Sequence, residues 1–273
     1  MKIALIQQHA TKDKNANVTR GLAALETAAR NGAQLACFAE LAFEWFYPQH
    51  PAGSDFRELA EPLDGPTVTA FRNKAKELGI VTVINLYERD GRHTYDSSPV
   101  IDADGSLLGV TRMIHITEYP CFHEQGYYTP GDKGAPVFKT QAGTIGVAIC
   151  YDRHYPEYMR ALAVAGADLV IVPQAGAVDE WPEGLYEAEM RVAAFQNGYF
   201  TALCNRVGKE DKLDFAGESF VCAPDGQVLA RAKQSTDEIL YADLDFTQLA
   251  QSNARQLFMK HRRPQLYADW LAK

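Results

Sequence analysis

The chain has 273 residues, 47% of them hydrophobic and 23% charged, with 35 acidic against 27 basic side chains and a net charge of −8. That length supplies a substantial core for one large domain or two ordinary ones, and the acidic balance speaks against a surface built to neutralise phosphates, so neither nucleic acid nor an anionic membrane is an expected partner. No run approaches the ~18 apolar residues of a membrane span, the opening MKIALIQQHA is too short in apolar residues for a secretory signal, and the five cysteines form an odd set without framework spacing, so a cytoplasmic protein with reduced thiols is expected.

In chain order, four segments repeat one design, an amphipathic helix closed by glycine and followed by a β-rich run. Val18, Leu22, Leu25 and Ala29 precede Gly32 and AQLACFAE; Val68, Phe71, Ala75 and Leu78 precede Gly79 and IVTVINLYE. Met159, Leu162 and Ala163 precede Gly166 and ADLVIVPQ, with Pro156 suited to the first helical turn, and Leu185, Ala188, Val192 and Phe195 precede Gly198 and YFTALCNRV. Between them lie strand-turn-strand segments with Asp-Gly turns. SPVIDADGSLLG at 98–109 aligns with SFVCAPDGQVLA at 219–230, an offset of 121, and the helices ending at Gly79 and Gly198 are 119 apart. Helices alternating with strands in two similar halves predict an α/β protein with two sheets face to face and helices outside. The absence of a Ser/Gly-rich linker makes residues 1–273 a single domain with internal pseudo-twofold symmetry.

Reactive residues in such sheets collect where strands end. Glu40 closes LACFAE, on the strand face of Ala36 and Phe38, and Cys150 closes TIGVAIC just before a turn and a helix, whose N-terminus would favour the thiolate. Taken singly, such a cysteine is more often a small core hydrophobe, the class given to Cys37, Cys204 and Cys222, and such a glutamate more often caps or faces solvent. A third segment, PCFHEQGYYTPGD at 120–132, is an aromatic-rich loop carrying Glu124, too long and irregular for a mere connection.

Together FAE with Glu40, FHEQGYYTPGD with Glu124 and CYDRHYPE with Cys150 resemble the signature segments of the nitrilase superfamily of carbon-nitrogen hydrolases, nearest the branch of N-carbamoylputrescine amidase and β-ureidopropionase. MKIALIQ, NGYFTALCNRVG, FAGESF and RRPQLY extend the resemblance along the whole chain. It implies a four-layer αββα sandwich and a Glu-Lys-Cys triad with a second glutamate. Glu40 would be the general base and Cys150 the nucleophile that forms a thioester from a small amide or N-carbamoyl compound, with Glu124 positioning substrate. The backbone N–H of Tyr151 would help hold the oxyanion. No cofactor is implied, and a homodimer or higher homo-oligomer is, with the tail at about 256–273 at a subunit contact.

One position departs from the pattern. The lysine is expected in a segment of the form Arg-Lys-x-His-hydrophobic, and TRMIHITEY places Met113 there, between Arg112 and His115. Loss of one oxyanion donor typically lowers the rate by ~10²–10³. Strand alternation turns Arg112 to the opposite face and leaves His115 as the nearest local replacement, with Lys133 and Lys139 on adjoining loops. The alternative function is therefore a catalytically impaired member that binds a ligand or serves as a scaffold. His115, Cys121, His123 and His154 cluster without a metal-ligand spacing, so no metal is expected. Tyr47, His123, Gln174 and Trp181 fall in loops expected to line the pocket, with His115 and Tyr151 beside them; packing within those loops is the competing role for each.

Overall fold

The computed structural model describes residues 1–271. Short, mostly apolar runs such as LACF, VTV, LVIVPQ and FTALCN lack the alternation of a half-solvated strand, so they become central strands covered on both faces. The first sheet contains β1 (Lys2–Gln7), β2 (Leu35–Phe38), β3 (Val81–Val83), β4 (Leu86–Asp90), β5 (His93–Ile101) and β6 (Leu107–Arg112). The second holds β7 (Val137–Thr140), β8 (Gly143–Val147), β9 (Leu169–Gln174) and β10 (Phe200–Asn205), followed after the small hairpin β11 (Val207–Lys209) and β12 (Asp214–Ala216) by β13 (Phe220–Cys222) and β14 (Val228–Arg231). The last strand, β15 (Glu238–Asp243), returns to the first sheet beside β1. The orders are β15-β1-β2-β3-β5-β4, with β6 also on β5, and β14-β13-β10-β9-β8-β7.

The sheets are copies of one pattern. β1, β2 and β3 run parallel, as do β8, β9 and β10, and each trio continues into an antiparallel hairpin. The hairpins share even their irregularity. Val100 pairs with Gly109 and Ile101 with Leu107 across a bulge, and 121 residues on Val221 pairs with Ala230 and Cys222 with Val228 across the same bulge. The offset read in the sequence is thus a structural repeat.

Helices α1 (Lys14–Arg30) and α2 (Pro66–Leu78) cover the first sheet, α3 (Pro156–Val164) and α4 (Leu185–Asn197) the second. Proline opens α2 and α3, and Gly79 and Gly198 close α2 and α4 at φ 64° and 70°, where a left-handed residue ends the helix. Alternation splits the strands of the second sheet. Leu169, Ile171, Phe200 and Ala202 join the cluster that runs through the first sheet to Leu25 and Phe71, whereas Val170, Val172 and Leu203 meet Met159, Leu162, Met190 and Ala194. The result is the αββα sandwich.

One helix faces otherwise than its sequence suggested. In α4 the stripe Leu185, Ala188, Val192 and Phe195 is turned outward, Val192 being 51% exposed, and Met190, Ala193, Ala194 and Asn197 meet the sheet. Smaller residues let the helix approach its strands, and the larger stripe is left uncovered. It adjoins the C-terminal segment, where Phe195 meets Phe258. After α5 (Thr247–Gln251), α6 (Pro264–Leu271) has no buried residue, and Leu257, Phe258, Leu266 and Trp270 are exposed. Residues 272–273 of the expected interface tail lie outside the described residues. Among the described residues no helix is long and apolar enough to cross a membrane.

The repeated Asp-Gly turns give a test. Gly105 and Gly226 have φ of 83° and 84°, but a Cβ on Gly105 would meet the Arg72 carbonyl of α2 at 2.7 Å, and one on Gly226 nothing nearer than 3.4 Å. Gly226→Ala is expected to cost about 1–2 kcal/mol, the left-handed strain alone, and Gly105→Ala at least ~1 kcal/mol more because backbone must shift. Denaturant midpoints measure both, and equal losses would contradict the placement of that turn against α2.

Candidate active site

The chain leaves β2 in a tight turn at Glu40. Leu41 has φ 44°, and its N–H donates to Asn85 Oδ1 at 2.7 Å. Arg206, fully buried, clamps the turn by donating to the carbonyl oxygens of Glu40 (2.9 Å), Leu41 and Glu44 (3.0 Å) and to the Glu210 carboxylate. A guanidinium with several donors in a rigid fork suits a turn that exposes several carbonyls to no water. The Glu40 carboxyl has no exposed surface, and neither oxygen has a hydrogen-bond partner among the described residues. Burial, then the charge of Glu124, push its pKa up to about 7.

Cys150 comes from the other half, beyond the end of β8, the counterpart of β1, while the counterpart of β2 is β9, which ends at Gln174. Beyond β8 it opens a single 3-10 turn, Cys150–His154, with φ 44°, a left-handed conformation rare for a residue with a side chain. Strain of that kind persists where the surroundings fix it, commonly at reactive residues. Here Arg153 Nη1 donates to the Cys150 carbonyl at 3.0 Å and to Gln174 Oε1 at 2.7 Å, so that Gln174 Nε2 faces the Cys150 Sγ at 3.3 Å. The expectation that a helix N-terminus favours the thiolate is corrected. The helix proper starts at Pro156, one 3-10 turn later, and burial followed by Glu40 and Glu124 raises the thiol well above its ordinary pKa, against which Arg153 and the Ala175 N–H act only in part. A thiol in this state needs a base to take its proton as it reacts, and Glu40 is beside it.

Glu124 starts a 3-10 turn in the aromatic loop and is likewise fully buried, with Oε2 accepting from Thr117 N–H at 3.3 Å and Oε1 without a partner. Burial and then Asp96 raise its pKa well above the carboxylate range. Met113 is fully buried in the apolar cluster that includes Ile149 and Cys150. Arg112 does turn away, to Glu88, Asp90 and Asp132. None of the three candidate cations reaches the site. Strand β6 stops at Arg112, so alternation no longer governs His115, whose Nδ1 lies 2.6 Å from Asp152 Oδ1 while its ring stacks on Tyr155 at 3.5 Å. Lys133 pairs with Asp132 at the surface and Lys139 is exposed on β7.

The other expected pocket residues divide. Gln174 is at the thiol itself. Trp181 and Tyr119 meet edge to face at 6.2 Å, and Tyr119 lies 6.5 Å from Tyr151, so these three rings form one wall. His123 lies 2.7 Å from Glu118 and, with Tyr119, lines a cavity of about 570 Å³; Trp181 lines another of about 560 Å³. Tyr47 packs on Tyr87 in the aromatic cluster that holds Tyr127 and Tyr128 and that Tyr119 packs against. His115, His123 and His154 each face their own carboxylate, of Asp152, Glu118 and Glu189, and among the described residues no three ligands converge for a metal ion. Sequence reasoning missed Asp96, Arg153, Arg206 and Glu180; the last accepts from the Tyr119 and Tyr186 hydroxyls and from Ala177 N–H.

Residues 2–254 match the carbon-nitrogen hydrolase family. The chain is 33% identical to the N-carbamoylputrescine amidase of Solanum lycopersicum over 97% of its own length and 93% of that protein. A carbon-nitrogen hydrolase from Helicobacter pylori superposes with a TM-score of 0.93 at 28% identity, covering 99% of this chain and 98% of that one. A mutant amidase from Nesterenkonia, in which acrylamide has added to the active-site cysteine, gives 0.84 at 27% identity over 99% of each chain. On this agreement of fold and sequence across nearly its whole length, the chain belongs to the carbon-nitrogen hydrolase family of the nitrilase superfamily, as a thiol-dependent enzyme of the amidase type.

Proposed function

We propose that the enzyme hydrolyses the C–N bond of a small amide or N-carbamoyl compound through a thioester on Cys150. The observation that carries this is the buried Cys150 thiol, held by Gln174 at 3.3 Å on one side and facing the Glu40 carboxyl on the other. Sγ attacks the carbonyl carbon as Glu40 takes the thiol proton. Glu40 returns that proton to the departing nitrogen, and ammonia or an amine leaves with the C–N bond electrons. Water then loses a proton to Glu40 and attacks the thioester, the C–S bond breaks with its electrons on sulfur, and Glu40 returns the proton to Sγ as the acid leaves. Glu124 positions the substrate nitrogen, the Tyr151 N–H takes the oxyanion, and the rings of Tyr119, Tyr151 and Trp181 enclose the remainder. The name of the N-carbamoylputrescine amidase relative supports this substrate range, and the Michael adduct of acrylamide on the amidase neighbour's cysteine supports a nucleophilic thiol at this place in the fold. Met113 in the lysine position favours a second reading, a ligand-binding protein without turnover.

The uncovered apolar segment, Leu257, Phe258, Leu266 and Trp270 beside Val192 and Phe195, supports a homo-oligomer joined through the C-terminal face, in a reducing cytoplasm suited to five free thiols. Light scattering showing a monomer at all concentrations would refute that assembly.

Acid-quenched turnover of an amide and ureido panel, followed by intact-protein mass measurement, is expected to show an acyl adduct lost in Cys150→Ala, together with ammonia release. No adduct and no ammonia with any substrate would overturn the hydrolase reading in favour of the binding-protein one. The pH profile follows from Glu40. Its raised pKa means that the ionised base accumulates only as pH rises through about 7, so kcat/KM should fall about tenfold per unit below that value and level off above it. Met113→Lys brings a cation to both glutamates and lowers their pKa values, so the limb is expected to move down by about one unit or more, with a gain of ~10-fold at pH 6. An unmoved limb in a folded variant would mean that position 113 does not face the two carboxyls.

A further inference from the structure

The chemistry above does not use Asp96, yet strand pairing delivers it to the site. It stands on β5 opposite Tyr87, and its carbonyl accepts the Met113 N–H at 2.9 Å, so it lies next to the position that lacks a cation. Its side chain has no exposed surface. Asn85 is fixed by accepting the Leu41 N–H at 2.7 Å, which leaves its Nδ2 to donate to Asp96 Oδ1 at 2.6 Å and toward Ser98 Oγ at 3.1 Å. Asp96 Oδ2 has no partner among the described residues, nor has either oxygen of Glu40, the carboxyl beside it.

The inventory of donors decides what such a pair can be. Two ionised carboxylates are acceptors only, and a buried pair sharing one amide donor cannot both be charged. The groups that face them are Glu124 from the aromatic loop, Cys150 and Asp152 from the 3-10 turn, the unpartnered Tyr128 hydroxyl, and Arg206, whose bonds go to backbone carbonyls and Glu210. None supplies a cation paired with either carboxyl. With Oδ1 occupied by Asn85, a proton on Asp96 resides on Oδ2, the oxygen left for Glu40.

We propose that Asp96 is a positioning residue for the general base: held as a neutral acid, it directs its Oδ2–H at the Glu40 carboxylate, fixing its orientation and keeping it ionised where the lysine is missing. Burial and the neighbouring Glu40 raise Asp96 well above its ordinary range, and a proton shared from Asp96 Oδ2 would draw Glu40 down against burial and Glu124. Asp96 acts through Glu40 and does not touch substrate. The assignment rests on the hydrolase reading for its consequence in turnover, though not for the proton itself.

The test compares Asp96→Asn with Asp96→Val by kcat, KM and pH profile, with alkylation of Cys150 by iodoacetamide over the same pH range as a readout that needs no substrate. The Asn side chain keeps a donor toward Glu40, so its acid limb should stay within about half a unit and its kcat within ~3-fold of wild type. Valine removes the donor. It should raise the limb by about one unit or more and lower kcat ~10-fold or more at pH 7, with little change in KM. A downward move of about one unit in Asp96→Asn would show that Asp96 is ionised, and an unmoved limb in folded Asp96→Val that it is not coupled to Glu40; either overturns the proposal. Should the valine variant not fold, the direction of the asparagine shift decides alone. If the alkylation profiles shift as expected while no amide is turned over, the hydrolase reading fails and the proton assignment stands.

Discussion

Three fully buried carboxyls gather at the site, Glu40 and Glu124 acting on the Cys150 thiol and Asp96 beside Glu40, and the guanidiniums nearest them are committed elsewhere. Arg206 is spent on the carbonyls of the Glu40 turn, and Arg153 on Gln174 and the Cys150 carbonyl. Like charges cannot accumulate in a low-dielectric site without a counterion, so protons take the place of cations there. The features of the site follow from that excess of acid groups: a thiol held neutral, a Glu40 carboxyl raised to about 7, and a dependence on proton sharing instead of fixed charge.

The fold makes this crowding possible by bringing together one turn from each of its two sheets. Glu40 and Cys150 each lie just beyond an apolar strand of a repeated sheet, and each turn contains one left-handed non-glycine residue, Leu41 and Cys150. The repeat is physical down to its bulges, which set how far each hairpin reaches. Asp96 and Met113 arrive together because one backbone hydrogen bond joins them at the end of the β5-β6 ladder. Neither is adjacent to Glu40 in sequence, and both become its neighbours through the sheet.

Much of this was legible in the chain. Glycines after helical stripes mark the helix ends, the Asp-Gly turns at an offset of 121 mark the repeat, and the segments around Glu40, Glu124, Cys150 and Gln174 stand out by their positions at strand ends and in an irregular loop. What escaped has a common cause, the dependence of a side chain on partners far along the chain. Asp96 in HTYDSSPVI reads as an ordinary polar strand residue, and only pairing with Met113 and Asn85 reveals its burial. The period of α4 admitted two apolar stripes, and packing against the sheet selected the one with smaller residues. His115 was placed by an alternation that ends with the strand at Arg112, and the thiolate expectation assumed a helix where a single 3-10 turn intervenes.

The central claim, that protons replace a cation among these carboxyls, is tested most directly by infrared spectroscopy of the unliganded enzyme across neutral pH, with the carboxylic acid C=O bands assigned through Glu40→Gln and Asp96→Asn. The account requires a band assigned to Asp96 that persists at pH values where surface carboxyls are fully ionised, and a second band, from Glu40, that titrates near pH 7. A spectrum with no protonated carboxyl remaining at neutral pH would contradict it.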